Sequence, residues 1–241
     1  MIKAVIFDID NTMYDFDKAN RTGMAALRKY AAENFGMEPD EAVELIKRCM
    51  DIVAERTGGN CAALHNRLLR FQCFLEQIGS TDYGKAFEMY HVYWDALIED
   101  MEPEPGLLSL LRSLRERGIK IGIGSDMTAY MQYRKLIKLG AMRYLDFIVT
   151  SEEAGAEKPT PRFFELCVEK AGCKPEECVF IGDSLKKDVI GPTKCGLIGT
   201  LYRPKEKAAG AGQSDGGSQE EVYPVVEAYE DNLWKEERED R

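Results

Sequence analysis

Two carboxylates one residue apart, Asp8 and Asp10, stand directly behind an uninterrupted apolar run, Ala4-Val-Ile-Phe7. Such a run, without alternation, suits a parallel strand buried on both faces. The acids then lie at its carboxyl end, the edge where open α/β sheets bind ligands. They repel each other unless a cation compensates them, and Mg²⁺ accepts one or two carboxylates while keeping positions for water and phosphate. The plainer alternative is a strand that ends in a solvated acidic turn. Three further polar stretches each follow a predicted strand. Gly124-Ser125-Asp126-Met127-Thr128 offers a hydroxyl and backbone amides at a helix start, a natural phosphate pocket. Ser125 taken singly serves equally as a cap or turn residue. Glu157-Lys158-Pro159 presents one positive charge whose backbone the proline restricts. In Gly182-Asp183-Ser184-Leu-Lys-Lys-Asp188, the first acid can reach a metal shared with the first strand. Asp188 can bind that metal through water or pair with Lys158. All these loops open on one edge of a parallel sheet, and that coincidence carries more weight than any one stretch.

The elements that must position these residues follow from periodicity. After Thr12 the pattern turns helical, with amphipathic segments at 17–34, 39–57, 61–77 and 83–99. Gly36, the turn at residues 58–60 and Gly79 separate them; Asp17, Pro39 and Asp82 supply starts. Connections this short favour antiparallel neighbours, hence a helical bundle inserted after the first strand. Met13, Met24, Met37, Met50 and Met89 are expected to fill gaps within it. His91 and Trp94 suit core or surface positions better than catalytic ones. From Gly106 helices and short apolar runs alternate, the signature of βαβ units. Helices are expected at 107–117, 128–139, 161–171 and 185–194, and strands at 119–124, 147–150, 178–181 and 197–202, the last completing the sheet. The fold class is therefore α/β, a three-layer Rossmann-like parallel sheet core with an inserted α-helical bundle. The expected boundaries are residues 1–14 and 103–241 for the core and 15–102 for the bundle. The stretch 205–219, rich in Gly, Ala and Ser, reads as a loose loop, and the charged tail 235–241 as a solvated helix end.

A net charge of −10 argues against a nucleic-acid or membrane-surface partner, because those need clustered positive charge. A phosphorylated substrate is then attracted only by a local positive site, which should contain a metal and a lysine. Seven scattered cysteines form neither a disulfide framework nor a C-x-x-C pattern, which suits a reducing compartment. With no signal peptide or membrane-length apolar stretch apparent, the expected location is the cytoplasm. Oligomeric state is not legible.

The order Asp8-x-Asp10-Asn-Thr12, then Ser125 after an apolar strand, then Glu157-Lys158-Pro159, then Gly182-Asp183-Ser184-x-x-x-Asp188, resembles the four motifs of the haloacid dehalogenase (HAD) superfamily. The inserted helices resemble that superfamily's C1-type cap. The resemblance implies a Mg²⁺-dependent phosphatase acting on a small phosphorylated metabolite. Asp8 is then the nucleophile and forms an aspartyl-phosphate. Mg²⁺ is held by Asp8, by the backbone carbonyl of Asp10 and by Asp183. Asp10 protonates the leaving oxygen and then activates water. Ser125, Asp126 and Lys158 bind the phosphoryl group, with Thr12 and Asp188 in support. Dehalogenases of the superfamily lack an acid at the position of Asp10, so dehalogenation is not implied. One departure concerns Asp126, where many relatives carry Asn; a second anion beside the phosphate weakens binding unless it points away and caps the helix. The same acids would serve a phosphomutase similar to beta-phosphoglucomutase, or a non-catalytic protein that keeps the fold. For substrate choice the candidates are Tyr14 at the hinge, and His65 and Arg67, with Arg70, early on the third cap helix. Residues at such spacing also suit a merely packed or solvated face.

Overall fold

All four residues of β1 (Ala4–Phe7) are sealed from solvent, as a run without alternation requires. In the computed structural model, which describes residues 1–59, 61–204 and 223–234, this strand lies at the middle of the sheet. The other strands are β2 (Lys120–Ser125), β3 (Phe147–Thr150), β4 (Cys178–Gly182), β5 (Ile198–Tyr202) and β6 (Val225–Val226). They run β3-β2-β1-β4-β5-β6, and every neighbouring pair is parallel. Strand order therefore reverses between β1 and β4, the crevice where ligands of open α/β sheets bind. Val5 and Phe7 point into one apolar cluster with α5 (Leu107–Glu116) and α6 (Ala129–Lys138). Ala4 and Ile6 point into a second cluster with α8 (Pro161–Ala171), completing three layers.

The inserted bundle consists of α1 (Phe16–Phe35), α2 (Pro39–Thr57), α3 (Arg67–Gln77) and α4 (Gly84–Glu99). Its buried Tyr93, Trp94 and Leu97 belong to the same apolar cluster as Val5, Phe7, Ile9 and Met13, so apolar packing continues from bundle to sheet. Trp94 is thus core, whereas His91 lies at the edge, 3.6 Å from Asp95.

Several expectations need correction. The third bundle helix does not start at Cys61. A 3₁₀ turn, Ala62–His65, comes first, and Asn66 then caps α3 by accepting the N–H of Leu68 at 3.1 Å. An Asn side chain competes for backbone groups in this way, so it favours a helix start over a helix interior. Asp15 rather than Asp17 caps α1, through the N–H of Lys18. At α4 the cap position is Tyr83 and Asp82 makes no capping bond. Met50 is 40% exposed and fills no gap. The predicted helix at 185–194 is a π-helical segment, Leu185–Ile190, followed by α9 (Gly191–Lys194). Pro192 has no N–H to offer the Asp188 carbonyl, so a regular α-helix cannot run through this stretch. A short helix, α7 (Ser151–Ala154), follows β3, and the two-residue β6 extends the sheet beyond β5. Both are too short to leave a periodic trace in the sequence. The expected loop at 205–219, the tail at 235–241 and Asn60 lie outside the described residues. No described helix is long and apolar enough to cross a membrane.

Candidate active site

Residue Asp8 is the first residue past β1, and its N–H donates to the Ile181 carbonyl of β4 at 2.9 Å. The two strands stay joined up to the point where their loops diverge, which sets Asp8 beside the loop that carries Asp183. Each of Asp8, Asp183 and Asp188 offers a carboxylate oxygen, all within 4.8 Å of one another. Asp8 and Asp188 are buried; Asp183 is exposed. Asp188 reaches this cluster because Gly182 leaves room: a Cβ there would stand 2.4 Å from the Asp188 carboxyl carbon. The Asp188 carboxylate also accepts the Ser184 N–H at 3.0 Å.

One buried cation sits among these acids. Lys158 Nζ donates to Asp188 Oδ1 at 2.7 Å and lies 2.9 Å from Asp8 Oδ1. Burial works against its ammonium, but Asp188 and Asp8 outweigh it and hold the proton more firmly than on an ordinary lysine. A single positive charge does not balance the acids. Burial, with repulsion from Asp188 and Asp183, pushes Asp8 up to about 7 against the pull of Lys158. Asp183 reaches solvent, yet the protein packed around its carboxylate and the Asp188 charge push it up to about 6. Three hard oxygen donors short of positive charge fit a divalent cation, and of Mg²⁺ or Ca²⁺ chemistry rather than that of a softer metal.

Around this centre the other predicted residues divide. Ser125 ends β2, next to β1, and its buried Oγ accepts from Gln132 Nε2 at 2.8 Å. Asp126 neither points freely at a phosphate nor caps α6. Its Oδ1 accepts the Lys158 N–H at 2.9 Å and its Oδ2 pairs with Lys187 Nζ at 2.7 Å. The added anion is thus neutralised locally and fixes the backbone of the lysine that meets Asp8. Met127, the next residue, holds φ at 131°, a strained value for a side chain that is not glycine. Thr12 is buried; its carbonyl accepts from Tyr229 Oη at 2.9 Å, and Gly106 lets that tyrosine close in, because a Cβ there would stand 2.1 Å from the Tyr229 carbonyl oxygen.

The Asp10 carboxylate is not part of the acid cluster. It is gripped by Lys135 Nζ, 2.7 and 2.9 Å from its two oxygens, and by the Tyr14 hydroxyl, which donates at 2.6 Å. Burial opposes its charge, but Lys135 and Tyr14 prevail and hold it below the ordinary carboxylate range. Lys135 is fully buried and its ammonium lies 5.4 Å from the centre of the Trp94 ring and 5.9 Å from those of Tyr14 and Phe16. Sequence reasoning missed Lys135, Gln132, Lys187 and Tyr229. A signal existed for Lys135, which falls on the apolar stripe of α6 between Met131 and Leu139, where a solvated lysine does not belong.

From the bundle, His65 Nε2 comes within 2.9 Å of Oε1 of Glu157, the residue before Lys158, which sets the 3₁₀ turn beside the sheet loop. The Arg67 guanidinium lies 4.5 Å from the centre of the Tyr93 ring and 4.7 Å from that of Trp94. Tyr14 lies at the root of the bundle, against Asp10.

A family model described as haloacid dehalogenase-like hydrolase matches residues 2–196. The ribulose-1,5-bisphosphate 5-phosphatase of Halopiger xanaduensis is 35% identical over 217 residues, covering 89% of this chain and 90% of that protein. The glyceraldehyde 3-phosphate phosphatase of Methanopyrus kandleri is 36% identical over 205 residues, 84% of each. Among solved structures, the 2-haloacid dehalogenase of Pseudomonas syringae pv. Tomato shares the fold with a TM-score of 0.74 at 22% identity, over 95% of each chain. The sheet order, the acids at its reversal point and a match across most of the residues lead to one conclusion: the chain belongs to the haloacid dehalogenase-like hydrolase family.

Proposed function

We propose that the protein is a Mg²⁺-dependent phosphatase that hydrolyses a small phosphorylated metabolite through an aspartyl-phosphate on Asp8. The observation that carries this reading is the contact of Asp8 with buried Lys158 at 2.9 Å, beside two further carboxylates that together call for a cation. Relatives named as phosphatases of phosphorylated sugars support the substrate class. So does the carboxylate at position 10, which gives the site an acid–base group near the nucleophile.

In this reading Asp8 and Asp183 hold Mg²⁺, with the Asp10 carbonyl as a further donor and Asp188 behind. When bound, the ion neutralises phosphoryl oxygens and so lets one anion attack another. An Asp8 oxygen attacks phosphorus, and the bond from phosphorus to the leaving oxygen breaks. Lys158 and Ser125 steady the phosphoryl oxygens. Asp10 delivers a proton to the leaving oxygen; the negative phosphoryl group arriving beside it raises its proton affinity against the pull of Lys135. Water then attacks phosphorus, the bond to Asp8 breaks, inorganic phosphate leaves, and Asp10 takes the water's proton. Residues 1–14 and 103–241 form the catalytic core and 15–102 the cap, joined to it through contacts such as Arg134 to Asp95 at 2.7 Å.

The test is a panel of phosphorylated metabolites with Mg²⁺, scored for inorganic phosphate and for isomer formation. Phosphate release that needs Mg²⁺ is expected. Isomer formation without release would make the protein a mutase, and no turnover of any ester, p-nitrophenyl phosphate included, would overturn catalysis.

A further inference from the structure

All seven cysteines are free thiols, and two of them nearly touch. Cys173, just past the glycine that ends α8, and Cys178, the first residue of β4, hold their sulfurs 3.3 Å apart. The 3₁₀ turn Pro175–Glu177 folds the chain back between them, and the Lys174 N–H donates to Glu177 Oε2 at 3.0 Å to hold that turn. Cys178 Sγ also lies 3.4 Å from the Lys174 carbonyl, to which it donates. A disulfide holds its sulfurs about 2.05 Å apart, so these two need to close by only about 1.2 Å more.

The two thiols stand in different settings. Cys173 is half-buried and borders cations. The Lys3 ammonium pairs with Glu177 at 2.7 Å, and its proton is held more firmly by that acid and, to a smaller degree, by Cys173 nearby. Lys120 Nζ donates to the Ala171 carbonyl at 2.6 Å, and a Cβ on Gly172 would stand 3.3 Å from that ammonium. Neighbouring ammonium groups favour a thiolate. Cys178 is sealed from solvent; burial, contact with Cys173 and the charges of Glu177 and Glu176 push its thiol up to about 12. One sulfur can therefore meet a dissolved oxidant while the other waits behind it. Cys49 and Cys73 also face each other in the bundle, but both are buried and no dissolved oxidant reaches them.

We propose that Cys173 and Cys178 form a reversible dithiol–disulfide site whose oxidant is a small soluble disulfide such as glutathione disulfide. The Cys173 thiolate attacks one sulfur of the oxidant, the oxidant's S–S bond breaks, and one thiolate leaves and takes up a proton. The Cys178 thiol then loses its proton to solvent and attacks the Cys173 sulfur; the mixed disulfide breaks and a second thiolate leaves, to be protonated in turn. Two protein thiols are oxidised to one disulfide, and the oxidant is reduced to two thiols. In a reducing compartment the pair rests as thiols and closes as the disulfide share of the thiol pool rises. The bond staples the end of α8 to the start of β4, at the opposite end of that strand from Asp183. The site therefore stands apart from the acid cluster and does not depend on the phosphatase reading.

The test exposes the full, natively folded chain to glutathione disulfide, traps remaining thiols with N-ethylmaleimide in acidic denaturant, and maps the tryptic peptides by mass. Trypsin does not cut between Lys174 and Pro175, so residues 171–186 leave as one peptide that holds Cys173 and Cys178 and no other cysteine. That peptide should lose two hydrogens and take no maleimide, while the other five cysteines are trapped as thiols and dithiothreitol restores the pair. In Cys178→Ala, Cys173 should stop at the glutathione adduct; in Cys173→Ala, Cys178 should stay a free thiol. A wild-type peptide that keeps two thiols, or that stops at an adduct, overturns the site. So does a Cys178 that reacts as fast in Cys173→Ala as Cys173 does in Cys178→Ala. Cys178 is a core residue, and if its variant does not fold the wild-type map decides. Closure of the pair with the other five cysteines still reduced sustains the site; indiscriminate oxidation of all seven overturns it.

Discussion

Lys158 and Lys135 are both sealed from solvent, and each holds an aspartate of the first loop, yet the balance of charge around them differs. Lys158 stands among Asp8, Asp183 and Asp188, one cation for three acids. Lys135 stands against Asp10, with aromatic rings for walls and Arg67 over the same Trp94 ring. The first region is short of positive charge and calls for a metal. In the second, one ammonium meets one carboxylate. Asp8 and Asp10, two residues apart in the chain, divide between the two regions, so one loop holds two carboxylates in different electrostatic settings.

The largest effect expected from breaking this contrast is on chemistry. Asp8→Asn should lower kcat by at least about 10⁴-fold while the circular dichroism spectrum stays native; substantial residual turnover would remove Asp8 as nucleophile. Next come the lysines, compared by urea unfolding without metal. Lys158→Met strands buried acids and should cost about 3–5 kcal/mol. Lys135→Met strands only Asp10, whose side chain is 29% exposed, and should cost about 1–2 kcal/mol. Equal costs would mean that the two regions do not differ as described. The smallest effect is a pH dependence. In the metal-free fold Asp8 is raised to about 7 and Asp183 to about 6, above their unfolded values. The stability these two contribute is therefore present below the unfolded pKa and lost as pH rises through 6–7. Mg²⁺ needs both ionised, so its stabilisation, read as a shift in Tm, should grow between pH 5 and pH 8. A shift that is flat or shrinks with pH would place the ion elsewhere.

Much of this was legible before any coordinates. Ala4–Phe7 could only be an interior strand, since four apolar residues without alternation have no face to give to water. The positions of Asp8, Lys158, Asp183 and Asp188 behind their strands were readable because the loops of a parallel sheet open on one edge. The break at Asn66 was hidden because apolar residues recur at helical spacing on both sides of it, which masks the cap that Asn favours. The π-helical turn at Leu185–Ile190 was hidden because Pro192 marks where a regular helix must stop without saying what the turn before it becomes.

The sequence by itself determined the strand-ending acids, the inserted helices and the order of the motifs, all properties of local pattern and spacing. Only the tertiary structure decided which charge meets which: that Asp126 pairs with Lys187, that Asp10 turns to Lys135 and Tyr14, and that Arg67 lies over aromatic rings. Electrostatic pairing depends on distance through space and on burial, and neither is written in the spacing of residues along a chain.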